Sequence, residues 1–153
     1  MLTDISRFRR FSRAVTSEVG ALDTSFLGLG RPLGAARVLN AIGQGRCDVA
    51  DVRSYLGLDS GLMSRLLRSL EEEGLIDVSS DKQDGRKRQV RLTDAGRAAF
   101  SEYERLSDER AAGLLAGHSN PRALLEAMDL IASALGRQRW QFEDRDPRDP
   151  ECV

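Results

Sequence analysis

Asp59–Thr93 reads DSGLMSRLLRSLEEEGLIDVSSDKQDGRKRQVRLT, and the reading of this stretch decides the fold. Asp59 is placed to cap a helix by accepting a backbone N–H from its first turn. Met63, Leu66, Leu67 and Leu70 follow at i, i+3, i+4 and i+7, the spacing of one buried helical stripe. The helix covers Ser60–Glu73, and Gly74 stops it. Leu75, Ile76 and Val78 then start a strand. Ser79–Arg86 is turn material, and Val90 and Leu92 share one face of a returning strand with Arg91 on the other.

The buried stripe leaves Ser60, Gly61, Ser64, Arg65 and Arg68 facing outward. Small residues at a helix start let another backbone approach closely, and the helix N-terminus favours phosphate. Arginine pairs with guanine O6 and N7, and serine donates to a phosphate or a base edge. Leu62 borders the stripe and reads as core. Taken alone this is also the pattern of an ordinary surface helix, and the ribbon that follows changes the reading. Residues 82–91 carry Lys82, Arg86, Lys87, Arg88 and Arg91 against Asp84, a local charge of +4. An arginine near a ribbon tip reaches a narrow minor groove. Asp84 is spaced to hold Arg86 by a charge-assisted pair.

Upstream, Ala35, Val38, Leu39 and Ile42 mark a helix over about 33–44, ended by Gly43 and Gly45. Arg46–Cys47 reads as a very short strand. Asp48 caps the next helix, with Val49, Val52 and Leu56 inward and Gly57 closing it. Only Gly57-Leu58-Asp59 separates it from the helix at Ser60, so the two form a helix-turn-helix. With the basic ribbon this is a winged helix-turn-helix.

Ile5, Phe8, Val15, Val19 and Leu22 set an amphipathic helix over 5–22, its other face carrying Arg7, Arg9, Arg10 and Arg13. Thr93 caps a long helix to about Ala116. Asn120 and Pro121 open a last helix, along which Leu124, Met128, Ile131 and Leu135 recur. The expected fold class is mainly α with a small β-hairpin wing (α+β). The expected order is two helices, a short strand, two helices, two strands and two helices. The chain divides into a dimerisation helix and loop (1–31), the winged helix-turn-helix (32–97), C-terminal dimerisation helices (98–142) and an acidic tail (143–153). Residues 143–151 hold five carboxylates against two arginines, a charge of −3, and read as disordered. The apolar faces of the outer helices exceed what so small a core can cover, which predicts a homodimer.

Composition bounds the rest. The 153 residues carry a net charge of −1, which argues against indiscriminate nucleic-acid binding while the basic ribbon argues for a localised contact with phosphate. No apolar run reaches the roughly 20 residues of a membrane span, and MLTDISRFRRF has no signal-peptide core. A cytoplasmic protein without a membrane partner is expected. Cys47 and Cys152 are too few for a disulfide scaffold and too far apart for a metal-ligand pair, and read as a half-buried thiol and a tail thiol. The one histidine, His118, lies at a helix break with no acid–base group to work with. No enzyme, metal or cofactor motif is present.

Leu56–Thr93 resembles the MarR family of bacterial transcription regulators. The matching pieces are LGLDSGLMSRLLRSLEEEGLI, Asp84-x-Arg86 in the wing, and Leu92-Thr93-Asp94-Ala95-Gly96-Arg97. The resemblance is specific over about 33–100. It implies a homodimeric repressor of transcription that binds double-stranded DNA at an inverted repeat and is released by an aromatic or carboxylate effector. The DNA-binding positions it implies are Ser60, Gly61, Ser64, Arg65, Arg68, Asp84, Arg86, Lys87 and Arg88. Effectors of the family often sit between the dimerisation helices and the DNA-binding lobe, where Arg10 and Arg13 are candidates to meet a carboxylate. Gly85 departs from the pattern, since the family commonly has another arginine there. Peroxide sensors of the family use a cysteine in the first helix, and this chain has none there. The alternative is a winged-helix module that binds protein and not DNA. Salt separates the two, because a DNA binder loses affinity steeply as salt rises.

Overall fold

The computed structural model describes residues 3–20, 25–80, 82–83 and 85–135. Its elements in order are α1 (Asp4–Glu18), a 3-10 turn (Phe26–Gly28), α2 (Leu33–Gly43), α3 (Val49–Leu56), α4 (Ser60–Glu72), β1 (Ile76–Ser80), β2 (Arg88–Leu92), α5 (Asp94–Ala116) and α6 (Pro121–Leu135). Among the described residues no helix is long and apolar enough to cross a membrane.

Every α-helix except α2 begins where a polar side chain accepts a first-turn N–H. Thr3 accepts from Ser6, Asp48 from Ala50 and Asp51, Asp59 from Leu62, Thr93 from Gly96, and Asn120 from Ala123. Those side chains satisfy donors that a helix start otherwise leaves open. α2 instead follows Pro32, which makes no side-chain cap. The expected class is therefore present, with one correction. Arg46–Cys47 forms no strand, and a single bridge joins Asp48 to Gln89. The Cys47 carbonyl accepts the Val90 N–H at 2.8 Å, but Asp48 turns at once into α3, and two residues are too few for a ladder. Cys47 is half-buried as expected. Cys152, Leu22 and the whole tail 143–153 lie outside the described residues.

The core is assembled by α2, α3, α4 and the two strands. Val38, Leu39, Val52 and Leu70 are fully enclosed, with Met63, Leu67, Ile76 and Val90 around them. Burying each such side chain stabilises by about 1.5–3 kcal/mol before entropy is counted. The stripe Met63, Leu66, Leu67 and Leu70 is buried as the spacing predicts, and Leu62 packs against the core from its edge. The strands are antiparallel, in register from Ile76↔Leu92 to Ser80↔Arg88. Val90 and Leu92 point inward and Arg91 outward, where it meets Asp77 at 3.4 Å.

Tyr103 and Gly96 are the buried residues of α5; α1 and α6 bury none. Their apolar side chains face outward instead. Ile5 is 75% exposed, Leu130 73% and Leu135 61%, with Phe8 and Leu114 also open. His118 is exposed, and its Nδ1 accepts the Asn120 N–H at 3.0 Å.

The first turn of α5 crosses the start of β1. Thr93 N donates to the Leu75 carbonyl at 3.0 Å, and Thr93 Oγ1 donates to the Gly74 carbonyl at 2.6 Å. A Cβ at Gly96 would run into that same Leu75 carbonyl. The glycine of the L-T-x-x-G motif is thus set by contact with backbone, which cannot swing aside. Gly96→Ala is expected to cost about 3 kcal/mol or more, measured by urea denaturation. Gly85→Ala, where an added Cβ meets nothing within 4 Å, should leave the stability within about 0.5 kcal/mol of the parent.

Candidate nucleic-acid interface

Two capped helices and a strand build the site. Asp48 Oδ1 accepts from Ala50 N at 2.8 Å and Asp51 N at 3.1 Å, which starts α3. Gly57 ends it in a left-handed conformation, φ 67, which a side chain adopts only with strain. Asp59 Oδ1 then accepts from Leu62 N at 2.8 Å and starts α4. The tight turn sets the start of α4 beside the start of α3. The Asp48–Gln89 bridge ties the same corner to β2, so the wing rises from the wall that α3 begins.

Between these three elements lies an open groove of about 560 Å³. From α3 and its cap it takes Asp48, Val49, Ala50 and Arg53; from α4, Ser60, Met63 and Ser64; from the wing, Arg86, Lys87 and Arg88. Four cations face one carboxylate, and that carboxylate is committed to capping α3. The floor is apolar at Met63 and the sides are small and polar at Ser60 and Ser64. The N–H groups of a helix's first turn add partial positive charge there. Such a slot suits a ribbon of phosphates.

Of the expected positions, Ser60, Ser64, Arg86, Lys87 and Arg88 come together in this groove. Gly61, Arg65 and Arg68 are exposed on α4 outside it. Gly61 leaves room for Arg65, whose Nη1 lies 3.6 Å from where a Cβ would stand. Asp84 lies outside the described residues, and the expected pair with Arg86 goes with it. Arg10 and Arg13 are exposed on α1 and are not groove residues.

Two features escaped the sequence reading. Ala50 and Arg53 line the groove from α3. Their i, i+3 spacing, off the Val52–Leu56 stripe, was the available signal. The other is a clamp behind the site. Arg31 Nε donates to Glu73 Oε2 at 2.8 Å and Arg31 Nη1 to the Tyr103 hydroxyl at 3.4 Å. Tyr103 stacks on Phe26, ring centroids 6.0 Å apart. Burial works against the Arg31 charge, but the hydrogen bonds to Tyr103 and Glu73 outweigh it and raise the pKa. The guanidinium therefore joins the segment before α2, the end of α4 and the middle of α5. No local pattern reports a contact spanning 72 residues.

The MarR family model matches residues 27–87. No curated protein matches the sequence. Among solved structures, the fold is similar to Streptococcus pneumoniae FabT in complex with DNA, with 18% identity over 86% of this chain and 96% of that chain and a TM-score of 0.70. A probable transcriptional regulator from Pseudomonas aeruginosa gives 25% identity, 84% and 94% coverage and a TM-score of 0.67. The PcaV transcriptional regulator from Streptomyces coelicolor, in complex with its natural ligand, gives 25%, 86% and 91%, and 0.65. At 18% identity the likeness to FabT shows the fold alone.

Asp48 separates the stability of the corner from its charge. Asp48→Ala should cost about 1 kcal/mol through loss of the cap, and Asp48→Asn little, since asparagine caps as well; thermal denaturation reads both. Asp48→Asn should also elute from heparin at higher salt than the parent. Elution at unchanged salt would mean that the groove is not the polyanion surface.

Proposed function

We propose that this chain is a homodimeric, sequence-specific repressor of the MarR type, released from its operator by a small aromatic or carboxylate effector. The observation that carries the DNA part is the groove between α4 and the wing, with four cations around a width of small and apolar residues. A phosphodiester strand lies there while the outer face of α4 enters the major groove and the wing reaches the adjacent minor groove. Ser60, Gly61, Ser64, Arg65 and Arg68 are the reading face. Arg86, Lys87 and Arg88 supply most of the sequence-independent attraction, and Asp84 is proposed, from its spacing in sequence, to orient Arg86.

The dimer is supported by the exposed apolar faces of α1, α5 and α6. A protomer alone leaves Ile5, Phe8, Leu130 and Leu135 in water, and two-fold pairing of such helices removes them from it. Pairing sets two copies of α4 about one DNA turn apart, roughly 34–36 Å, so the operator is an inverted repeat. The effector part leans on PcaV, which was solved with its natural ligand. Arg10 and Arg13 are its proposed partners for a carboxylate. The domain division follows from the same reading, with residues 1–31 and 98–142 making the dimer and 32–97 holding DNA.

Selection of bound sequences from random DNA tests class and symmetry together, and it should return an inverted repeat. Arg86→Ala should weaken binding to selected and random duplexes alike and flatten the salt dependence; unchanged affinity would remove the wing from the interface. Arg65→Ala should relax preference at one base pair at a cost on the order of 1–3 kcal/mol. A loss equal on all sequences would make Arg65 a phosphate contact instead.

A further inference from the structure

We propose that Arg53, on the first helix of the helix-turn-helix, holds a backbone phosphate of the strand between α4 and the wing. The inference rests on the DNA-binding reading above and adds a third wall to that interface. Arg53 is exposed and lines the same groove as the wing cations. It stands one helical turn after Ala50, which lines the groove too, while Val52 and Leu56 hold the other side of α3 in the core.

The neighbouring arginine shows the contrast. Arg46 is held at 2.9 Å by Asp51, with its guanidinium 3.7 Å over the Tyr55 ring. It is occupied inside the fold. Arg53 makes no ion pair among the described residues, and its charge is open to a ligand. Its position is also fixed in advance. The cap at Asp48 sets where α3 begins, and the Asp48–Gln89 bridge and the Val90-to-Cys47 hydrogen bond fasten that point to β2. Arg53 and the wing therefore line one groove without a closing motion.

The contact falls on phosphate and not on a base. In a helix-turn-helix the first helix crosses the backbone, and the second reads the base edges. One guanidinium on each half-site then releases about one condensed counterion, whatever the sequence.

The test compares the full-length protein with Arg53→Ala and Arg53→Lys by fluorescence anisotropy. A duplex carrying the selected inverted repeat and a scrambled duplex are titrated across a sodium chloride series. For Arg53→Ala, affinity should fall roughly five- to ten-fold per half-site near about 0.1 M salt, equally on both duplexes. The slope of log affinity against log salt should flatten by about 0.9 per half-site. Arg53→Lys should keep most of that slope, because an ammonium still neutralises a phosphate. Melting temperatures should match the parent, since the side chain is exposed. Parental affinity and slope in Arg53→Ala would overturn the assignment, and so would a loss confined to the specific duplex, which means a base contact. If the unaltered protein shows no salt-dependent binding to either duplex, the DNA-binding reading falls and this inference with it. If it binds and Arg53→Ala binds identically, only the inference falls.

Discussion

The carbonyl oxygen of Leu75 lies where the end of α4, the base of the wing and the start of α5 meet. Thr93 N donates to it, while the Thr93 hydroxyl donates to the Gly74 carbonyl and accepts the Gly96 N–H. One residue thereby closes the exit of one helix and opens the next. The crossing is so close that position 96 has no space for a side chain. Contacts of backbone against backbone do not relax by rotamer changes, so the angle between α4 and α5 is set rigidly. Arg31 adds a second tie between the same two helices through Glu73 and Tyr103. A shift of α5 therefore carries α4 and the wing with it, which is the mechanical requirement for the proposed dimer interface to govern the two proposed reading helices.

Electrostatics follow the same corner. The chain as a whole is nearly neutral at −1, and uniform attraction to a polyanion is weak for such a protein. The groove gathers Arg53, Arg86, Lys87 and Arg88 around small residues, and it is there that phosphate gains most. Other arginines are used differently. Arg31 and Arg46 are packed into ion pairs of the fold, and Arg91 meets Asp77 on the wing. Glu71, Glu72 and Glu73 sit at the far end of α4, where Glu73 serves Arg31 and none of the three lines the groove.

The outer helices have a different character. α1 and α6 are well formed and capped, yet among the described residues neither holds a fully buried side chain. Their exposed apolar faces are the surface the proposed dimer covers, so the proposed dimer and the proposed spacing of half-sites are one claim and not two.

Local periodicity determined most of the architecture. The stripe Met63–Leu66–Leu67–Leu70, the caps Asp48, Asp59 and Thr93, and the alternation of Val90 and Leu92 act within a few residues, where geometry is dictated by the helix or strand itself. The outward set on α4 and the cations of the wing were legible for the same reason. The tertiary structure decided what depends on residues far apart in sequence. It reduced the expected strand at Arg46–Cys47 to one bridge, because a strand needs a partner over some length and α3 begins too soon. It gave the glycine of L-T-x-x-G its cause, a carbonyl 21 positions earlier in the chain at Leu75. It assembled the Arg31–Glu73–Tyr103 clamp, and it set Arg53 in one groove with the wing cations. Sequence spacing says which way a side chain leaves its own helix; only the packing of helix on helix says what it then faces.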